Sequence, residues 1–322
     1  MRSLTTTSAD GTRLATYRWP AAAAASAIIL IIHGLAEHGR RYNHFAERLA
    51  AHGVDVYSFD LRGHGATTER VDHGHLGTHS HWQTLLDDVA AIRTQAMQES
   101  GYLPVILLGH SLGSFIAQGV LQNHGRDYAG AVLLGAATPS RIMCVLGRFV
   151  ASVESARVDP TGHSMLMRRL TFGAFEKALK RRIGSKRTHF DWLSSLPAAV
   201  DDYIADKDTG FDLRTATWQR LLPGIARVQS PRARMQIPQT LPLLIAAGED
   251  DPVGGFGREP QKLAAAYTNG GHSDVTTLIY AGARHELLHD RVADHLHHDL
   301  LDWLTTRRLA GQTPPVTLKK TT

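Results

Sequence analysis

The sequence predicts an α/β fold, with a mostly parallel central sheet, helices on both faces and an inserted helical cap. Three observations carry this. From Ala27 to Ala136, short apolar runs alternate with amphipathic stretches of helix length, the pattern of a parallel sheet covered on both sides. The rhythm stops at Thr138-Pro139, and for about a hundred residues the chain turns irregular, basic and helix-rich. It then resumes at Thr240, so the interruption must carry structure of its own. The expected division is a core of 1–137 and 236–308, a cap of 138–235, and a disordered tail of 309–322.

The elements follow in order. TTTSADGTRLATYRW reads as two strands joined at Asp10-Gly11, a favoured hairpin pair. AIILIIHG (Ala27 to Gly34) is a buried strand, and FAERLAAHG (Phe45 to Gly53) a helix. VDVYSFDLRGHG (Val54 to Gly65) and HWQTLLDDVAAIRTQAM (His81 to Met97) repeat the pair. PVILLGHS leads into the helical SFIAQGVLQNHG (Ser114 to Gly125), and AGAVLLGA (Ala129 to Ala136) is the next strand. After the interruption come the strand TLPLLIAAGEDD (Thr240 to Asp251), a helix, the strand VTTLIYAGARH (Val275 to His285) and a terminal helix from Arg291 to Arg308.

Composition narrows the class. The chain has 322 residues, 43% hydrophobic and 20% charged, enough for a sizeable core. Its single cysteine, Cys144, permits no internal disulfide. The opening MRSLTTTSADGTRL lacks the apolar core of a signal peptide, and AAAAASAIILII (Ala21 to Ile32) is too short to span a bilayer. The expectation is a cytoplasmic protein, peripheral to a membrane at most. The net charge is +5, but 139–234 alone holds 17 Lys/Arg against 9 Asp/Glu. No base-reading helix or aromatic ladder accompanies this excess, so a solvated basic surface is expected and nucleic acid is not a partner.

The chemistry concentrates in VILLGHSLGSF (Val105 to Phe115), where Gly109 and Gly113 bracket Ser111 between a buried strand and a helix. G-x-S-x-G in that setting is a nucleophile elbow, a turn too tight for a Cβ at either glycine. It holds a serine hydroxyl at the carboxyl edge of the sheet, where open α/β folds bind ligands. A serine needs a base and an orienting acid, here in the order serine, acid, histidine. His285 lies just beyond the last apolar strand. His289, one helical turn on, reads as a surface residue. The acid falls at Asp250 or Asp251, with Asp251, fixed by Pro252, favoured. His33-Gly34 after AIILII would bring a backbone loop to the reacting carbonyl, making the Leu35 and Leu112 N–H groups the expected oxyanion donors.

These motifs resemble those of the monoacylglycerol lipase and lysophospholipase group of α/β hydrolases, which shares its core with serine aminopeptidases. The group's H-G-x-x-E-H-x-x-R-Y is matched at His33, Gly34, Glu37, His38, Arg41 and Tyr42, and its D-x-R-G-H-G at Asp60, Arg62, Gly63, His64 and Gly65. G-H-S-x-G is matched at Gly109 to Gly113, and G-x-x-D at Gly248 and Asp251. FDWLSSLPAAVDDYIADKDTGF resembles the cap of bacterial members. Two departures stand out: Ser114 replaces the usual glycine, and ATTER lacks the usual serine.

The resemblance implies the α/β-hydrolase fold and a serine esterase acting on monoacylglycerols or other single-chain lipid esters, with Ser111, Asp251 and His285 catalytic. Rival readings are a lysophospholipase or broad carboxylesterase, a serine aminopeptidase, or a non-enzymatic scaffold that binds a small ligand. No cofactor and no metal are implied. Elsewhere the plainer reading is preferred. The histidines of DHGHLGTHSH (Asp72 to His81) form a solvated loop rather than a zinc site. HLHHD (His295 to Asp299) is a polar helix face, and MLMRRLTFGAF (Met165 to Phe175) a helix packed on the core.

Overall fold

The computed structural model describes residues 1–184 and 186–309. Eight strands form one sheet: β1 (Arg2–Thr7), β2 (Arg13–Trp19), β3 (Ala27–Ile32), β4 (Val54–Phe59), β5 (Val105–His110), β6 (Gly130–Leu134), β7 (Leu243–Gly248) and β8 (Val275–Tyr280). Their order is β1-β2-β4-β3-β5-β6-β7-β8. The β1–β2 hairpin, turning at Asp10-Gly11, pairs antiparallel with β4, and every later pairing is parallel. This is the α/β-hydrolase fold.

The helices between the strands are α1 (Asn43–Ala51), α2 (Trp82–Ser100) and α3 (Leu112–His124) before β6. Between β6 and β7 lie α4 (Arg141–Val158), α5 (Met165–Leu170), α6 (Phe172–Ile183), α7 (Pro197–Ala205), α8 (Thr215–Val228) and α9 (Pro231–Arg234). α10 (Arg258–Asn269) and α11 (Ala293–Thr306) follow β7 and β8 respectively.

Strand alternation divides the core. Ile28, Leu30 and Ile32 of β3 face Leu85, Val89, Ile116 and Val120 of α2 and α3, while Ile29 and Ile31 face Phe45 and Leu49 of α1 and Leu296, Leu300 and Trp303 of α11. Both faces of β3 are fully enclosed, which is why its sequence reads as an unbroken apolar run rather than an alternation. Each such side chain contributes roughly 1.5–3 kcal/mol by leaving water. Leu30→Ala would cost about 2–5 kcal/mol once the cavity is included.

The interruption gives no strand to the sheet among the described residues. Its α8 sits on the core through Gly224, which packs against the Trp82 indole, and α4 packs on α8. α4 starts at Ser140, whose side chain accepts the Met143 N–H. It presents Ile142, Met143, Val145, Leu146, Phe149 and Val153 to solvent.

Two expectations need correction, and the start of a third is seen. MLMRRLTFGAF does not pack as one core helix. The backbone breaks at Thr171 (φ −106°, ψ −94°), so α5 has too few residues to bury a stripe. Met167 is enclosed while Met165, Leu166 and Leu170 stay exposed. HLHHD is not uniformly a polar face either, because His297 is buried against the Phe45 and His52 rings. Of the tail, Leu309 packs beside the α11 cluster, and 310–322 lie outside the described residues.

Candidate active site

The carboxyl ends of β3, β5, β7 and β8 deliver the candidate groups. Ser111 occupies the single residue between β5 and α3 at φ 50° and ψ −113°, a region that L-residues avoid and that functional sites retain. Neighbouring backbone enforces it. A Cβ on Gly109 would overlap the Gly113 carbonyl, and one on Gly113 would overlap the Ile32 carbonyl. The Ser111 N–H donates to Leu134 O at 2.9 Å, tying the turn to β6. Ser114, in place of the group's glycine, turns its hydroxyl back onto Ser111 O at 2.7 Å.

The two candidate acids separate cleanly. Asp251 is fully buried, and its Oδ2 lies 2.9 Å from His285 Nδ1. Its Oδ1 accepts the Val253 N–H at 2.8 Å, which fixes the carboxylate plane. Asp250 instead accepts Arg182 Nε at 3.1 Å near the surface. A carboxylate can only accept, so His285 donates from Nδ1 and keeps the Nε2 lone pair for a proton. Among the described residues no hydrogen bond joins Ser111 Oγ to His285 Nε2. In sites without substrate that bond is often long and tightens only in the reacting complex.

The interruption helps to hold the His285 loop. The Trp192 ring lies 5.3 Å from the His285 ring, and the Glu286 N–H donates to Leu193 O at 2.7 Å. Arg284 Nη1 donates to the carbonyls of Asp191 and Ser194. His289 departs from expectation here: it is largely buried, its Nε2 is enclosed without a partner among the described residues, and burial draws its pKa down to about 4.

Beyond β3, the loop from His33 to Ala36 passes over the elbow. His33 Nε2 accepts the Leu61 N–H at 2.9 Å, so its Nδ1 is the protonated nitrogen and donates to Gly34 O at 2.7 Å. A Cβ on Gly34 would meet Glu37 Oε1 at 2.6 Å and Ser111 Cβ at 3.2 Å. Leu35 and Leu112, the expected oxyanion donors, direct their N–H groups to no protein acceptor among the described residues. Ala36, at φ 55°, is clamped by the interruption: its carbonyl accepts Tyr203 Oη at 2.9 Å and the Gly210 N–H at 3.0 Å.

The resemblance matched Glu37 and Arg41 without giving them a role, and no sequence signal pointed to Glu286. The structure gathers all three with His110 into one buried cluster. Glu37 Oε1 accepts the Gly34 N–H at 2.5 Å, His110 Nδ1 at 2.7 Å and Tyr42 Oη at 3.2 Å. Arg41 makes a two-pronged bond to Glu286 at 2.6 and 2.7 Å, and Nη1 reaches Glu37 at 3.2 Å. Burial alone would raise the Glu37 carboxyl, but His110 and Arg41 hold it well below the usual range. The R-G-H-G motif is structural by its contacts. Arg62 bridges Asp88 and Asp10, and Asp60 accepts the Gly39 and Ala66 N–H groups.

With this geometry in place, the comparisons with known proteins fall into line. The family model described as serine aminopeptidase, S33, matches residues 23–292. The monoacylglycerol lipase of Mycolicibacterium smegmatis is 26% identical over 294 residues, covering 87% of this chain and 88% of that one. The human monoglyceride lipase is 24% identical over 311 residues, covering 95% and 92%. Among solved structures, a thermostable carboxyl esterase from Bacillus coagulans aligns with a TM-score of 0.85 at 24% identity, covering 95% of this chain and 98% of its own. A monoglyceride lipase from Saccharomyces cerevisiae aligns at 0.68 and 16%, covering 92% and 93%. At those identities the two structures speak to the fold.

Proposed function

Because the chain belongs to the serine aminopeptidase S33 family of α/β hydrolases, we propose that it cleaves single-chain lipid esters, monoacylglycerols foremost, through an acyl-enzyme on Ser111. The chain is an enzyme of the carboxylic ester hydrolase class, in line with its monoacylglycerol lipase relatives. The observation that carries the mechanism is the strained Ser111 elbow beside the buried Asp251–His285 pair.

In this reading Ser111 Oγ attacks the ester carbonyl carbon and its proton passes to His285 Nε2. Asp251 orients the ring and stabilises the imidazolium. The Leu35 and Leu112 N–H groups receive the oxyanion, each worth about 2.7–4 kcal/mol by analogy with measured donors. The carbon–oxygen bond to the leaving alcohol breaks as His285 returns the proton to that oxygen. Water, deprotonated by His285, then cleaves the acyl-enzyme; the fatty acid leaves and Ser111 regains its proton.

An aminopeptidase would need free carboxylates for a substrate ammonium. Glu37 and Glu286, buried beside the elbow, are already engaged by Arg41 and His110, and Asp251 by His285. A lysophospholipase remains the second reading, favoured by the basic excess of 139–234.

We read 138–235 as the cap over a core of 1–137 and 236–308. The exposed apolar side chains of α4, flanked by Arg141 and Arg148, suit transient contact with an anionic membrane surface. No helix among the described residues is long and apolar enough to cross a membrane.

The test is fluorophosphonate labelling together with a cleavage panel of p-nitrophenyl esters, monoacylglycerols, lysophospholipids and aminoacyl amides. The expected result is labelling that Ser111→Ala abolishes, with monoacylglycerols the best substrates. Turnover persisting in Ser111→Ala, free of host esterase, overturns the mechanism.

A further inference from the structure

Two acidic side chains are buried beside the candidate nucleophile, Glu37 and Glu286, yet among the described residues only one fixed cation, Arg41, pairs with them. An uncompensated buried carboxylate is costly and is met by a proton or by a second cation; Glu37 Oε1, which accepts from the Gly34 N–H and the Tyr42 hydroxyl, favours the cation. The groups that face this cluster are His110 at the end of β5, His285 and His289 on the histidine loop, Tyr42 beyond the β3 loop, Tyr203, whose ring lies 4.8 Å from the Arg41 guanidinium, and His33, which is neutral because its Nε2 accepts the Leu61 N–H.

Geometry selects among the histidines. Both His110 ring nitrogens face acceptors: Glu37 Oε1 lies 2.7 Å from Nδ1, and the His285 carbonyl 3.4 Å from Nε2. A neutral imidazole carries one N–H and would leave one of them unmet. His289 Nε2 has no partner among the described residues, and His285 must keep Nε2 free to act as base.

We propose that His110 is a permanent imidazolium and a positioning residue, locking the oxyanion loop to the histidine loop on either side of Ser111. Its Nδ1 holds Glu37, which in turn holds the Gly34 N–H and so sets where Leu35 points. Its Nε2 holds the carbonyl of His285 itself. Glu37, Glu286, Arg41 and His110 then close as two anions and two cations. Burial alone would lower the His110 pKa, but the Glu37 charge and hydrogen bond outweigh it and hold the group above its ordinary value.

The role rests on the Ser111 mechanism, but the protonation state does not, so the test has two arms. In the first, histidine-labelled wild-type protein is followed by NMR from about pH 6 to 9, across the ordinary histidine range, with His110 assigned through the backbone. Two ring N–H protons and no titration are expected. A single N–H, or titration in that range, overturns the charge assignment whichever serine reacts.

In the second arm, His110→Gln strands Glu37, and kcat is expected to fall about 10²-fold with KM little changed, as for a misplaced catalytic geometry. Adding Glu37→Gln restores the charge balance, and the double variant is expected to recover activity and thermal stability relative to His110→Gln. A double variant no better than the single overturns the positioning role. If His110→Gln fails to fold, folding of the double variant supports the balance and its failure overturns it.

Discussion

Asp251 and His285 meet across 34 residues of chain with 2.9 Å between Oδ2 and Nδ1, and both are sealed from solvent. The preceding residue, Asp250, is spent on Arg182. Asp251→Asn would reverse the donor at that contact and favour the wrong imidazole tautomer. Turnover is expected to fall by on the order of 10⁴, as in the serine protease template, and Asp250→Asn to stay within a few fold. Steady-state kinetics on a soluble ester decides it, and a reversal of the two effects would move the acid.

Ser111 lies where glycine would sit without strain. Strain of this kind costs about 1–3 kcal/mol, partly offset by the extra unfolded-state freedom of glycine. Ser111→Gly is therefore expected to abolish turnover and raise the melting temperature above that of Ser111→Ala. If Ser111→Gly melts at or below Ser111→Ala, the elbow stores no strain.

Much of this was legible in the chain because parallel strands enclosed on both faces are written as apolar runs, and a two-glycine elbow has few other uses. The register of G-x-x-D separated Asp251 from Asp250 for the same local reason. The Arg41–Glu286 bond was illegible, since it joins residues 245 apart, and no period marks a long-range ion pair. His289 and His297 misled because histidine counts as polar, while folding buried one in the loop and the other against two rings. α4 misled no one but stayed opaque, its apolar residues facing outward.

His297 offers a test by pH. Both ring nitrogens are enclosed without partners among the described residues, and burial, followed by Arg48, His52 and His298, draws its pKa to about 4, against a small opposing pull from Asp294. An unfolded histidine titrates near ~6.5. Between these values the unfolded chain binds the extra proton, so the stability His297 permits is present above about 6.5 and lost as pH falls toward about 4. His297→Leu removes that loss and the unpaired nitrogens. Thermal melts at pH 8 and pH 5 are expected to show the variant gaining on the parent at pH 5. An equal difference at both values would mean His297 does not titrate in that window.

The basic segment Lys177 to Arg187 can be tested as substrate selector or solvated surface. Arg182 pairs with Asp250, Lys186 with Glu176, and Arg187 with Asp201. That leaves Lys177, Lys180 and Arg181 as cations without a carboxylate partner among the described residues. Attraction of an anionic lysophospholipid to these exposed groups would act through water. It should fade as the Debye length shrinks from ~10 Å at 0.1 M salt to ~3 Å at 1 M, while a neutral monoacylglycerol would feel none of it. Both substrates are compared below their micellar concentrations across that range. The expectation is a shallow, similar dependence for both, with the neutral ester hydrolysed faster, because half of the segment's charge is already neutralised within the protein. Charge reversal belongs at Arg181, not Arg182, where a new carboxylate would face Asp250 directly. A steep loss confined to the anionic ester and abolished by Arg181→Glu would favour the lysophospholipase reading instead.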